Sequence, residues 1–174
     1  MFSIRAATSG DVSLLKLLIH ELAEYERETN AIAITEDDLL RDGFGLQPPE
    51  QPLEQPKFRA ILAEDAASAQ PAGYAVFFPC YSTWTGPGIF LEDLFVRVPF
   101  RGRGIGKALV AEVARIARQE GCRNIRLDVL HWNEPAIRFY KSLGAEYFEE
   151  WRNVIIREDA LDRLARSSRL AAHP

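Results

Sequence analysis

Histidine and cysteine are scarce in this chain of 174 residues, at three and two. His20, His131 and His173 are scattered, and neither Cys80 nor Cys122 stands at metal-ligand spacing from another donor. No metal site is therefore expected. Two cysteines are too few for a disulfide framework and read as reduced thiols of a cytoplasmic protein. No apolar run approaches the roughly 18 residues of a membrane span. The opening MFSIRAATSGD lacks the basic stretch followed by an apolar one that marks a secretory signal. Positive charge is also in deficit: 21 Lys and Arg against 25 Asp and Glu leave a net charge of −4. Nucleic-acid binding would need a local basic patch strong enough to override that balance. Membrane and nucleic acid are thus both set aside as partners. No internal repeat is visible.

What is present reads as one domain over residues 1–174, with 47% hydrophobic residues to fill a core. FSIRAA (2–7) reads as a strand. Behind it Val12, Leu15, Leu18, Ile19 and Leu22 recur at helical spacing, with Ser9 and Asp11 as candidate caps and Glu24, Glu26 and Glu28 at the acidic far end. TEDDLLRDG predicts a short helix capped by Thr35 and stopped at Gly43. LQPPEQPLEQPK (46–57) holds four prolines, which exclude a helix interior or a central strand, so it reads as an exposed loop. FRAILAE and AGYAVFFPCY predict an antiparallel hairpin. GIFLEDLFV (88–96) predicts a strand covered on both faces. Ile105, Leu109, Val113 and Ile116 mark a helix ending at Gly121, and NIRLDVL the next strand. Asn133 caps a helix that Gly144 ends. EYFEEWRNVII predicts one or two strands, and REDALDRLARSS a terminal helix. The order is β-α-α-β-β-β-α-β-α-β, a mixed α/β domain whose central sheet is mostly antiparallel and flanked by helices.

The stretch VRVPFRGRGIGKAL (96–109) crowds three glycines, three arginines and a lysine between a strand and a helix. The P-loop pattern fails twice, because position 101 is Arg rather than Gly and position 108 is Ala rather than Ser or Thr. G-x-G-x-x-G fails too, because Lys107 or Leu109 stands where its third glycine belongs. The physics still favours an anion. Glycines bring backbone N–H groups close to a ligand, and the following helix points its positive end at the same spot. Arg97, Arg101, Arg103 and Lys107 add charge. The alternative is a tight strand-to-helix turn with solvated arginines.

Arg101-Gly102-Arg103-Gly104-Ile105-Gly106 resembles the R/Q-x-x-G-x-G/A loop of the GCN5-related N-acetyltransferases (GNAT). The likeness continues through ELAEYE, DGFG, STWTG, LEDLFV, RGRGIGKAL, WNEPAIRFYKSLGA and EEWR, which resemble, in the same order, the diamine and thialysine branch of that superfamily. The resemblance implies the GNAT fold, acetyl-CoA as donor, a small-molecule amine as acceptor, and a homodimer. It implies that the backbone of Gly102, Arg103, Gly104, Ile105, Gly106 and Lys107, beside Arg101, holds the pyrophosphate. The pantetheine arm would lie along Leu94, Phe95 and Val96 like an added strand. Asn133 would be a cofactor contact as well as a helix cap.

Acetyl transfer from a thioester needs a neutral amine, a stabilised oxyanion and a proton for the leaving thiolate. Tyr140 lies on the apolar stripe Ala136, Phe139, Tyr140 and Leu143, which also fits a plain core tyrosine. The resemblance makes it the general acid and a cofactor contact. Glu92 and Asp93 interrupt an apolar strand, and adjacent strand residues point to opposite faces, so each needs its own partner or a wet cleft. Glu92 is the candidate base, acting through water on a cationic amine. Asp93, Tyr25, Glu26, Trp84, Glu149 and Glu150 are candidates for the rest of an amine pocket, with cation–π attraction from the indole. The relatives that act on polyamines carry aspartate where this chain has Ser82, and the thialysine type carries serine. One fewer anion favours a small amine with its own carboxylate. A protein amine, or a non-catalytic acyl-CoA-binding role, remains the alternative.

Overall fold

The computed structural model describes residues 1–46 and 56–168. Most of the proline-rich stretch expected as a loop, 47–55, lies outside the described residues. The chain forms two compact units, Met1–Trp132 and the described residues from Asn133 onward. Among the described residues, no helix is long and apolar enough to cross a membrane.

The first unit is built on a five-stranded sheet in chain order. Its strands are β1 (Phe2–Ala6), β2 (Arg59–Asp65), β3 (Pro71–Ser82), β4 (Gly86–Val96) and β5 (Ile125–Arg126). The first four pair antiparallel, β2 with β3 as the hairpin expected of FRAILAE and AGYAVFFPCY, and β5 joins β4 in parallel. Helices α1 (Val12–Glu26), α2 (Glu36–Phe44) and α3 (Ile105–Gln119) complete the unit. Leu15 and Leu18 of α1 pack with Ala60, Leu62, Tyr74, Val76 and Phe95 in one core cluster. The alternate strand residues, Ile61, Ala63, Ala75 and Phe77, are buried with them. The buried stripe of α3 is Ile105, Leu109, Val113 and Ala117, and α3 packs on β2, β3 and β4.

Two helix boundaries differ from the expectation. Ser9 lies inside a single 3-10 turn, Ser9–Asp11, and caps nothing. Asp11 instead reaches back to the Thr8 N–H and hydroxyl, each at 2.8 Å, and pairs with Arg5 at 2.7 Å. Helix α2 is capped by Thr35, whose hydroxyl accepts from the Asp38 N–H at 3.1 Å. It runs through Gly43 and stops at Gly45, whose φ of 68° suits glycine. Gly43 is a packing glycine: a Cβ there would stand 2.4 Å from the Phe58 ring.

The second unit holds α4 (Glu134–Ser142) and α5 (Glu158–Arg166). The strands expected from EYFEEWRNVII are absent among the described residues, where residues 151–157 carry no regular structure. Val154 is 81% exposed, and Ile155 and Ile156 are exposed beside it. A strand forms only against a partner, and apolar β-branched residues alone do not supply one. For the same reason β5 covers two residues of NIRLDVL rather than the whole run.

Candidate active site

The pairing of β3 with β4 loses step once. Phe77 stands opposite Leu91 and Val76 opposite Asp93, so Glu92 has no partner. Glu92 is therefore the extra residue of a β-bulge. Beyond the bulge the facing of β4 is reversed. Asp93 and Phe95 now share the α1 face with Val76 and Tyr74, while Leu91 shares the other face with Phe77. The two carboxylates part accordingly. Glu92 is exposed and Asp93 is partly buried. Asp93 finds its partner on the neighbouring strand: the Tyr74 hydroxyl donates to Oδ2 at 3.0 Å.

The ladder between β4 and β5 ends just before the bulge, at Phe90 and Arg126. Leu91 to Val96 thus has β3 on one side and, among the described residues, no strand on the other. That edge leads into the glycine loop. Gly102 and Gly104 take φ of 75° and 82°, which side-chain-bearing residues rarely adopt, and a Cβ on either would meet nothing within 4 Å. The backbone there is open to an approaching group, and Gly104 caps the start of α3. Bare backbone at a helix N-terminus fits a pyrophosphate.

The arginines of this loop divide their work. Arg97 donates through Nε to Glu21 at 2.7 Å, and Arg103 pairs with Asp65. Both charges are therefore met within the chain. Arg101 donates from Nε to the Val96 carbonyl at 2.8 Å and lies over the Tyr25 ring at 4.8 Å. It ties the end of β4 to the last turn of α1. Lys107 is exposed on the first turn of α3.

Around the bulge the charge is negative. Burial raises Glu26 above the ordinary carboxylate range, with Glu28 adding repulsion. The protein around Glu92 raises its carboxyl too, with Asp128 the second cause. Burial, opposed by the Tyr74 hydrogen bond, pushes Asp93 up to about 6, with Glu92 and Glu26 adding repulsion. Tyr25 packs against the core cluster that holds Tyr74 and Phe95, its ring 6.3 Å from that of Trp132, over which Arg27 lies at 5.4 Å.

Ser82 and Trp84 lie elsewhere in the unit. Both belong to the β3–β4 turn, where the Ser82 hydroxyl accepts from the N–H groups of Trp84 and Thr85 at 3.2 and 3.3 Å. Trp84 is 82% exposed at that tip. At about 3.3 Å per residue, the seven steps from Gly86 to Asp93 set the tip roughly 20 Å along the strand from the carboxylates.

In the second unit Asn133 caps α4, its Oδ1 accepting from the Ala136 N–H at 3.3 Å. Tyr140 is 8% exposed, and its ring centroid is 5.1 Å from that of Phe139. Glu149 and Glu150 are exposed in a turn. Sequence reasoning passed over Tyr74, Asp128 and Trp132. Tyr74 had a signal, a hydroxyl inside the apolar run AGYAVFF. Its partner depended on strand register.

The sequence profile of the Acetyltransferase (GNAT) family matches residues 16–145, and the chain belongs to that family. It is an N-acetyltransferase of the GNAT type, and enzymes of that family use acetyl-CoA. It is 39% identical to the thialysine N-epsilon-acetyltransferase of Sus scrofa, over 93% of this chain and 96% of that one. It is 31% identical to the L-ornithine N5-acetyltransferase NATA1 of Arabidopsis thaliana, over 94% and 88%. Among solved structures it resembles the integron cassette protein VCH_CASS6 of V. cholerae, with a TM-score of 0.72 and 25% identity over 95% of this chain and 98% of that one. Among the described residues no cluster of His, Cys, Asp or Glu could hold a metal.

Proposed function

We propose that this enzyme transfers the acetyl group of acetyl-CoA to a primary amine of a small cationic molecule, with a thialysine-like or ornithine-like amino acid preferred over a polyamine. The observation that carries this reading is the set of carboxylates Glu26, Glu92 and Asp93 beside a strand edge that is unpaired among the described residues and runs into the glycine loop. An anion site for the donor and an anionic patch for a cationic acceptor thus meet within one unit. The relatives named for thialysine and ornithine support the acceptor class.

Acetyl-CoA supplies the thioester. Backbone N–H groups from Gly102 to Lys107 bind its pyrophosphate, and Leu94 to Val96 align its arm along the open edge. A backbone N–H of that strand faces the thioester oxygen and stabilises the charge that develops there. Asn133 is a further cofactor contact in this reading. Tyr25, Glu26, Asp93 and Glu150 orient the ammonium. Glu92, exposed on its bulge, takes the amine proton through water, and the Tyr140 hydroxyl protonates the departing sulfur. The chain works as a single domain, in the cytoplasm, as a homodimer. A second copy is the source that brings the hairpin tip carrying Ser82 and Trp84 to the acceptor, since their own strand holds them away from it.

A thiol-release assay across thialysine, lysine, ornithine, putrescine, spermidine and a histone-tail peptide tests the acceptor. Thialysine or ornithine should give the highest kcat/KM and the peptide none. Preference for the peptide overturns the reading.

A further inference from the structure

Tyr74 is fully buried, and its hydroxyl is the one polar side-chain group in the cluster it shares with Leu15, Leu18, Ala60, Leu62, Val76 and Phe95. Phenylalanine would fill the same space, and a phenol in such a core costs stability unless its hydroxyl is bonded. It donates to Oδ2 of Asp93 at 3.0 Å. Register explains how the two meet. Tyr74 is opposite Phe95 and Val76 opposite Asp93, so Tyr74 and Asp93 are diagonal neighbours on the α1 face. Without the bulge at Glu92, Asp93 would turn to the other face.

The groups that bear on Asp93 are Tyr74 from β3, Glu92 on its own strand and Glu26 from α1. Glu21, also on α1, acts on Tyr74 and is itself paired with Arg97. None of the three groups acting on Asp93 is a cation. Among the described residues, this partly desolvated carboxylate has a neutral donor and two carboxylates acting on it and no cation, and a cationic ligand is a species that supplies the countercharge.

We propose that Tyr74 is a positioning residue of the acceptor site, whose hydroxyl aims the Asp93 carboxylate at the incoming ammonium while Glu92 takes the proton. This rests on the cationic-amine reading above. The hydroxyl bonds the ionised carboxylate, so it opposes the rise that burial imposes on Asp93. Removing it lets Asp93 take up a proton at higher pH, and the anion is then lost in the range where the enzyme must bind ammonium.

The test is Tyr74→Phe, which keeps the ring. The acid limb of kcat/KM for thialysine should move up by roughly one pH unit. Well above the limb, the KM for thialysine should rise several-fold, with kcat and the KM for acetyl-CoA near those of the wild type. In Asp93→Asn the part of the limb set by Asp93 should go and only the fall set by Glu92 should remain, and adding Tyr74→Phe should change that profile no further. An unmoved limb in Tyr74→Phe overturns the proposal, as does an additive effect in the double variant. The carboxyl carbon of Asp93, followed by 13C NMR titration without substrate, provides a readout independent of turnover. It should titrate higher in Tyr74→Phe, and an equal midpoint rejects the pair. If wild-type enzyme acetylates no cationic amine while the NMR midpoint shifts, the acceptor reading fails and the positioning of Asp93 by Tyr74 stands. Should Tyr74→Phe fail to fold, the wild-type and Asp93→Asn profiles decide: a limb in Asp93→Asn identical in midpoint and shape to that of the wild type overturns the proposal.

Discussion

At neutral pH an alkylamine is almost wholly protonated, so turnover depends on a group that takes its proton. The proposed base, Glu92, is looped out of the ladder and exposed, with its carboxyl raised by the surrounding protein and Asp128. A raised carboxyl is a better base once ionised, and its activity is lost as pH falls through that raised value. Glu92→Gln should lower kcat/KM at pH 7 by roughly 100-fold, with recovery at higher pH as free amine accumulates. A pH–rate profile that does not move removes Glu92 from the role. Tyr140→Phe should lower kcat by a similar factor and leave acetyl-CoA affinity near normal, as measured by turnover and by calorimetric titration. The pairing of Tyr74 with Asp93 belongs to this same scale. It was not legible in the sequence, because the two residues are 19 apart and meet only through strand register.

Among the elements, the glycine loop was the most legible. Its spacing alone excluded the two common nucleotide fingerprints, and its backbone does turn through φ values that favour glycine. Its charge was less legible. Sequence counts Arg97, Arg101, Arg103 and Lys107 alike, whereas Glu21 and Asp65, distant in the chain, meet two of them. In the proposed donor site, backbone more than arginine is left to hold the anion. Gly104→Ala should therefore act through conformation, since alanine at φ 82° costs roughly 1–2 kcal/mol. The expected outcome is a melting temperature lower by a few degrees and a KM for acetyl-CoA raised about 10-fold, with the KM of the amine little changed. An unchanged acetyl-CoA KM would argue against the loop as the donor site. Helix α2 shows the opposite case. Gly43 reads as a stop in sequence and is in fact a contact with Phe58 inside the helix.

For the whole molecule, the question is what completes the acceptor site. Ser82 and Trp84 sit at a hairpin tip, roughly 20 Å along the strand from Asp93. A homodimer that offers this tip to its partner accounts for their proposed part in amine choice. Analytical ultracentrifugation should give twice the 19.6 kDa chain mass. Ser82→Asp should then raise kcat/KM for spermidine relative to thialysine. A monomer with full activity, or an unaltered ranking of amines, rejects the shared pocket.

The sequence by itself determined the element order through α4, the antiparallel front of the sheet, the helix caps at Thr35 and Asn133, and the glycine turn that leads into α3. These follow from periodicity, capping and glycine placement, all of them local. Tertiary structure decided the rest. It turned Asp93 beneath α1 through a bulge that no alternation pattern announces, ended β5 after two residues, and withheld the strands expected near Ile155. Each outcome depends on which backbone stands opposite, and pairing partners are a property of the folded chain rather than of any segment within it.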